Sequence, residues 1–397
     1  MMNINEILKL DERALRDAGR YPKKRELFST IARHRGRHFV GIAGPRGVGK
    51  TVLLKQLRAT TERSVYISLD AVEPENLYEL VEALYETYRF SLYLLDEIHY
   101  SKNFEQNLKK IFDFLDVRMI FTSSISISLF DSAHDLSRRV RLRKLCPFSF
   151  REYLYFRKDI ELPRLTFGDI VEKKWRPEHL RQSYMFDSYL QGGIFPFALE
   201  EPEPLDLLGN IVKKIVRRDI PYASNLSLDE LGDIERLLRF VGRSSVGGIN
   251  PTSISRNIGT SRYKAEAYLG LLEKAFVLKI VMPRGANVMK EPKVLMSVPF
   301  RLLYQEYEDA IGGLREDFFA EVMTMLDLDF RYLKSTRGAK TPDFIVEIEG
   351  SEIIMEIGGK GKGRSQFKGS DREKALILTH DIRSDGIRRP LFLLGFT

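Results

Sequence analysis

The chain carries one cysteine, Cys146, among 397 residues. A lone thiol cannot form an intrachain disulfide, and such sparing use fits a reducing compartment. No apolar run approaches the ~20 residues that a bilayer-spanning helix needs, so no membrane span is expected and the cytoplasm is the expected location. The opening segment, MMNINEILKLDERALRDAGR, lacks the roughly 7–15-residue apolar stretch of an export signal. It reads instead as a charged amphipathic helix. The six histidines supply no metal set: His34 and His38 stand four apart, but Gly36 between them weakens the helix that would align them. No Cys–His or Ser–His pattern suggests nucleophilic catalysis, and there is no internal repeat or low-complexity stretch.

What is present is an ordinary globular composition, 43% hydrophobic and 30% charged, and a length that implies roughly two to four domains. The net charge of +8 and pI of about 9.2 favour acidic partners, nucleic acid first. A solvated basic surface would give the same balance.

The first 36 residues read as helix. From His38 short apolar runs alternate with helical patterns. Strands are expected at His38–Ala43, Ser64–Leu69, Ser91–Asp96 and Arg118–Thr122, and helices at Lys50–Thr60, Asn76–Arg89 and Asn103–Asp116. Alternation at this spacing implies an α/β fold whose parallel sheet is covered on both faces. It ends near Pro147. A helical stretch runs to about Leu199, and Glu200-Glu201-Pro202-Glu203-Pro204 reads as a linker.

Gly44-Pro45-Arg46-Gly47-Val48-Gly49-Lys50-Thr51 fits G-x-x-x-x-G-K-[ST] at every fixed position. Glycine lets backbone N–H groups turn onto phosphate oxygens. Lys50 is placed to reach the β- and γ-phosphates of ATP, and Thr51 to give a hydroxyl to Mg²⁺. The helix that follows points its positive end at the anion. A glycine-rich turn before a helix is the bland alternative, but the loop has the apolar strand before it and the amphipathic helix after it that phosphate binding requires.

Leu92-Tyr93-Leu94-Leu95-Asp96-Glu97 is an apolar strand ending in two acids. Asp96 there can hold Mg²⁺ through its water shell, and Glu97 can polarise an attacking water. The strand Arg118–Thr122 ends in Thr122-Ser123-Ser124, polar residues that could sense a γ-phosphate or simply cap a turn. Arg138-Arg139-Val140-Arg141-Leu142-Arg143-Lys144 is either the source of an arginine finger, a solvated basic strand, or an edge facing DNA.

Together GPRGVGKT, LLDEIH, FTSS and RRVRLRKLCPFSFREYL resemble the archaeal and bacterial AAA+ superfamily ATPases with an uncharacterised C-terminal region. Tyr189-Leu190-Gln191-Gly192-Gly193-Ile194-Phe195-Pro196 is similar to that family's YL-x-x-GG-F-P element, and Arg218-Asp219-Ile220 to its R-D-I. The resemblance implies an N-terminal helical segment (1–36), an AAA+ P-loop core (37–150), a helical lid and linker (151–204), a winged-helix-like domain (205–300) and a restriction-endonuclease-like α/β domain (301–397). A finger that acts on the ATP of a neighbouring subunit would make the chain a homo-oligomer. By position before Cys146-Pro147, Arg139 matches the family's finger arginine, although Arg138 replaces the preceding glycine. Ser123 replaces the glycine of the family's T-G-S-S sensor stretch.

Asn250-Pro251 starts a short helix that Gly259 stops, and Ser261 caps a second running to about Phe276. Strands follow around Val277–Met282 and Lys293–Val298. This is winged-helix order, with Arg256, Arg262 and Lys264 placed to meet DNA phosphates; packing against protein is the equal alternative. Further on, 342–357 reads as a hairpin around Glu349-Gly350, with Ile348 opposite Ser351 and Asp343 opposite Glu356. Two carboxylates about 5 Å apart across strands make a site for Mg²⁺ or Mn²⁺. The pair resembles the PD-(D/E)xK nuclease core, but Gly358 stands where its lysine belongs, with Lys360 a possible substitute and Glu316 a possible further carboxylate. A degenerate nuclease fold is the expected reading.

The expected function is an AAA+ ATPase that binds and hydrolyses Mg–ATP and couples hydrolysis to DNA. The alternatives are a nucleotide-dependent signalling switch that recruits a protein, and an active metal-dependent nuclease.

Overall fold

A computed structural model of the chain describes residues 4–72, 74–124, 136, 138–224, 226–245, 249–285, 291–333, 341–359 and 375–397. They divide into two compact units, Met1–Pro147 and Phe148–Thr397.

The first unit is built on five parallel strands: β1 (Phe39–Ala43), β2 (Ser64–Ser68), β3 (Leu92–Asp96), β4 (Arg118–Ser123) and β5 (Val140–Lys144). Their order is β2-β3-β4-β1-β5. The first four fall within a residue of the expected runs. They are nearly continuous in apolar residues because both faces of the sheet are covered, and β1 and β3 are buried at every position. The fifth strand comes from the basic run. It lies at the sheet edge with Arg141, Arg143 and Lys144 exposed, and charge along an edge discourages pairing with another chain.

Residues 1–36 are not one helix. Helix α1 (Ile4–Ala18) ends before Pro22, which cannot continue it, and α2 (Glu26–Ala32) follows. The chain between them is held by the Gln56 amide, which donates to the Tyr21 and Lys23 carbonyls at 2.6 and 2.8 Å. Asp11 on α1 takes the Tyr66 N–H of β2 at 2.7 Å, and both donors of a fork from Arg58 at 2.7 and 2.8 Å. Arg58 lies on α3 (Lys50–Thr60), so one buried carboxylate joins the N-terminal helix, the second sheet edge and the helix after the phosphate loop. Helices α4 (Leu77–Tyr88) and α5 (Phe104–Phe114) complete the cover. Asn76 caps α4 by accepting from the Tyr78 and Glu79 N–H groups.

In the second unit the Glu200–Pro204 stretch is a turn and not a linker. Helix α7 (Pro204–Lys214) begins at its last residue, and Pro204 packs where a Cβ on Gly192 would stand, 2.9 Å away. Helix α6 (Phe150–Lys158) contributes Phe150, whose ring meets Phe186, Tyr189, Phe392 and Phe396 at 5.3–6.1 Å. The segment expected as a lid therefore shares one aromatic core with the C-terminal residues. The YLQGG motif serves this packing. Tyr189 donates to the Phe148 carbonyl at 2.7 Å, and a side chain on Gly193 would come within 2.6 Å of the Tyr153 ring.

Next come α8 (Leu228–Arg243), α9 (Pro251–Ile258) and α10 (Arg262–Lys274). The expected caps are in place: Asn250 accepts from the Ser253 N–H, Gly259 ends α9 at φ 73°, and Ser261 accepts from the Lys264 N–H. An antiparallel pair follows, β6 (Leu278–Val281) with β7 (Lys293–Met296). Helix α11 (Tyr307–Met325) then leads into a mixed sheet of order β12-β11-β10-β9-β8. Its strands are β8 (Phe330–Tyr332), β9 (Phe344–Ile348), β10 (Ser351–Gly358), β11 (Ala375–Thr379) and β12 (Arg388–Pro390).

Arg301 and Asp317 join helix α11 to the chain before it. Their side chains are 1% and 0% exposed, and the guanidinium donates twice to the carboxylate at 2.7 and 3.1 Å. Arg301 also reaches the Val241 and Ser244 carbonyls, while Asp317 accepts the Met296 N–H at 3.0 Å. Removing one partner of such a pair strands a buried charge. Asp317→Ala is expected to destabilise the second unit by about 3–5 kcal/mol in denaturant titration, and the double change Arg301→Met, Asp317→Leu to restore most of that loss.

Candidate functional site

The carboxyl ends of β1, β3 and β4 lie side by side, with Ala43 paired to Ser123 and Leu95 to Phe121. Ligands of open parallel sheets bind outside such ends, where strand order reverses. Here β1 runs into Gly44–Thr51.

The loop leaves no room for other residues at its start. A Cβ on Gly44 would stand 2.1 Å from the Leu145 carbonyl oxygen. Gly47 and Gly49 adopt φ of 85° and 90°, a left-handed backbone that makes a concave row of N–H groups suited to an anion. Gly49 caps α3 without a side chain, so the positive helix end adds to that field. Lys50 is buried and folds back over the loop, its Nζ donating to the Gly44 and Pro45 carbonyls at 2.8 and 3.0 Å. Val48 is fully buried, and Arg46 donates to the Tyr100 hydroxyl at 3.3 Å. The donor set is that of a phosphate cradle.

Asp96 is the centre of the hydrogen bonding. Its Oδ2 accepts from Thr51 Oγ1 at 2.7 Å and from the Tyr66 hydroxyl at 2.9 Å, and its Oδ1 accepts from Thr122 Oγ1 at 2.5 Å. Thr122 Oγ1 also accepts the Glu97 N–H at 3.0 Å, which ties the ends of β3 and β4 together. Burial drives the Asp96 carboxyl above its ordinary range, as does the neighbouring Glu97 charge; the three hydroxyls only partly oppose it. A hydroxyl and a carboxylate converging beside a phosphate cradle fit a hydrated divalent cation, and Thr51 and Asp96 are the residues that would hold it.

Glu97 differs. Burial pushes its carboxyl upward, but Lys50, His99 and Arg46 outweigh that and hold it below its usual value. It accepts the Ser124 N–H at 2.9 Å, has His99 Nδ1 at 3.4 Å, and sits at φ 54°, an uncommon backbone for a residue with a side chain. Two adjacent acids are thereby set apart: Asp96 is held by hydroxyls, and Glu97 is kept ionised by cations.

Ser123 is fully buried and hydrogen-bonded to His99 Nδ1 at 3.1 Å. Arg139 lies just before β5, at the end of the sheet opposite the phosphate loop. It donates to both Asp113 oxygens, at 3.1 and 2.8 Å. Sequence reasoning missed Tyr66, His99 and Arg25. Arg25 reaches from before α2 to the Val48 carbonyl of the loop and to the Cys146 carbonyl, each at 2.9 Å. No local pattern marks Tyr66 or Arg25, because each acts through a partner at least 23 residues away; His99 acts on Glu97, two residues before it, as well as on Ser123.

In the second unit the hairpin has the expected register, Ile348 opposite Ser351 and Phe344 opposite Met355. Asp343 accepts the Ile357 N–H at 2.8 Å, and Glu356 is fully buried. Glu316, expected as a further ligand, is ion-paired with Lys293. Among the described residues no three His, Cys, Asp or Glu side chains gather as a metal site. Lys360 lies outside the described residues. On α10 Arg262 pairs with Glu266 and Glu291, and Lys264 with Glu230. Two of the three cations expected to meet DNA are thus already neutralised. Among the described residues no helix is long and apolar enough to cross a membrane.

Fold and cradle define the first unit as a P-loop domain. Residues 36–154 match the family model described as an AAA domain, and residues 184–297 match a domain of unknown function, DUF8612. An uncharacterized protein of Methanocaldococcus jannaschii is 27% identical over 384 residues, covering 86% of this chain and 81% of that one. Among solved structures, the Thermotoga maritima RuvB Holliday junction branch migration motor is 16% identical at a TM-score of 0.29, covering 72% of this chain and 91% of its own. C. elegans PCH-2 is 16% identical at a TM-score of 0.30, covering 53% and 67%.

The opposed shifts of the two acids give a signed expectation. A carboxyl raised in the folded state takes up its proton on folding, so its burial costs most stability above the raised value, and that cost fades as pH falls through it. Asp96→Asn is therefore expected to equal or exceed the wild type in urea stability at pH 8 without nucleotide. The wild type should gain relative to the variant as the pH is lowered.

Proposed function

We propose that the chain binds and hydrolyses Mg–ATP at Gly44–Thr51. The observation that carries this reading is the hydrogen bond from Thr51 to Asp96, which joins the phosphate loop to the acidic end of β3. Backbone N–H groups from Arg46 to Thr51 take the phosphate oxygens, and Lys50 exchanges its loop carbonyls for the β- and γ-phosphates. Bound Mg²⁺ supplies charge neutralisation on those oxygens. Glu97, ionised and oriented by the Ser124 N–H, positions the attacking water. Ser123, next to Thr122 and in contact with His99, lies where the state of the γ-phosphate can be read. Arg139 is distant from its own loop, so its role as a finger belongs to the ATP of a second copy, in a homo-oligomer, and requires release from Asp113.

Coupling to DNA is the reading we favour for the work done, on the net charge of +8 and the exposed basic edge of β5. A helical lid over 151–204 and a winged-helix-like part over 205–300 belong to this reading. The order α9, α10, β6, β7 supports the latter. We take 301–397 as a nuclease-like fold without cleavage activity, because Gly358 stands where a catalytic lysine belongs. The neutralised cations of α10 beside an 82%-exposed Tyr263 favour a second reading, a nucleotide-dependent switch whose α10 face takes a protein partner.

ATP turnover should fall to background in Lys50→Ala, and DNA should stimulate the wild type. Turnover indifferent to every nucleic acid, with a protein recovered on the α10 face, would replace the first reading by the second. A rate per subunit that climbs with protein concentration, and ceases to climb in Arg139→Ala, is expected if the finger acts between copies. DNA incubated with Mg²⁺ or Mn²⁺ should remain intact with both the wild type and Asp343→Ala; cleavage by the wild type alone would establish a working nuclease.

A further inference from the structure

A second cluster of polar side chains lies in the Phe148–Thr397 unit, unused by the ATPase reading. Asp187 Oδ1 accepts from the Tyr307 hydroxyl at 2.6 Å and bonds to His380 Nε2 at 2.7 Å. Since a carboxylate only accepts, Nε2 carries a proton. The other ring nitrogen, Nδ1, is buried and has no hydrogen-bond partner among the described residues. Arg315 lies on the same helix as Tyr307, two turns on. Its Nε is likewise buried without an acceptor, and among the described residues its guanidinium makes no hydrogen bond or ion pair.

Both groups lie beside Gly358, the last residue of β10, and Gly359 after it. The His380 N–H donates to the Gly358 carbonyl at 3.2 Å, and Arg315 Nη1 would stand 3.3 Å from a Cβ on Gly359. Burial lowers the pKa of Arg315 and of His380 alike, against the pull of Asp187. A guanidinium with five donors, half out of water and without an acceptor, is costly, and an oxyanion is the ligand whose geometry its fork matches. With Nε2 protonated and the ring neutral, Nδ1 offers a lone pair. It repels an oxyanion that carries no proton and accepts a hydrogen bond from one that does. At neutral pH that distinction admits phosphate, as the monoanion or a protonated phosphomonoester, and rejects sulfate and carboxylates.

We propose that Arg315 and His380, beside Gly358 and Gly359, form a phosphate-binding site for inorganic phosphate or a terminal phosphomonoester, with Asp187 and Tyr307 fixing the imidazole. This site is independent of the ATPase reading and stands or falls separately from it.

The test follows the His380 imidazole resonances of the full-length, histidine-labelled chain by NMR, assigned by their loss in His380→Gln. The Lys50→Ala background removes binding at the phosphate loop. Inorganic phosphate should shift these resonances saturably, sulfate at matched ionic strength should not, and Arg315→Met should weaken the phosphate effect at least tenfold. Arg315→Met should also fold at least as stably as its parent, since it removes an unmatched buried charge. An absent phosphate shift, an equal response to sulfate, unchanged affinity in Arg315→Met, or unfolding of that variant would each overturn the proposal. With the site present, competition by a 5′-phosphorylated oligonucleotide but not its 5′-hydroxyl form identifies a nucleic-acid end as the phosphate source. Competition by neither identifies free phosphate.

Discussion

The buried carboxylate of Asp96 is the constraint around which the first unit is arranged. A charge at the end of a central strand, out of water on all sides, must be met by hydrogen-bond donors. Three hydroxyls do so, from the helix after the phosphate loop, from β2 and from β4. Satisfying that one group draws together the ends of three elements, and the position of the loop relative to β3 and β4 follows. Burial and the neighbouring Glu97 charge still hold the Asp96 carboxyl above its ordinary range, which the three hydroxyls only partly oppose.

A second carboxylate, Asp11, plays the matching part at the sheet edge. It satisfies the outer N–H of β2 at Tyr66 while neutralising Arg58 on the helix after the loop. The N-terminal helix is therefore part of the scaffold of the site. Arg25 continues this support by holding the carbonyls of Val48 and Cys146. Arg25 acts on the loop through the Val48 carbonyl and so does not engage the loop's N–H groups.

Much of this was legible beforehand. The phosphate loop, the acidic strand end, four of the five strands and the Asn250, Gly259 and Ser261 caps all depend on residues within a turn or a strand of one another, where local geometry dictates residue type. The break after α1 was equally local, at Pro22, but the amphipathic charge pattern on both sides masked it. Tyr66, His99, Arg25 and the Asp187–His380–Arg315 cluster could not be read. Each joins residues that only the fold brings together, and buried strand or loop positions carry no mark of their partner. Basic residues on α10 read as a phosphate-facing set because Glu230 and Glu291, which pair with Lys264 and Arg262, lie outside that helix; Glu266, the other partner of Arg262, is on α10 itself.

By itself the sequence determined that Gly44–Thr51 would make a phosphate cradle between a strand and a helix, because only glycine tolerates the left-handed backbone and the 2.1 Å approach to Leu145. It also determined the hairpin register, through a two-residue turn at Glu349-Gly350. The tertiary structure alone decided which charges are matched and which are left over: Asp96 with three hydroxyls, Arg301 with Asp317, Arg262 with Glu291, and Arg315 with no hydrogen bond or ion pair among the described residues. Electrostatic satisfaction is settled over a few ångströms of space, and separation along the chain does not encode it.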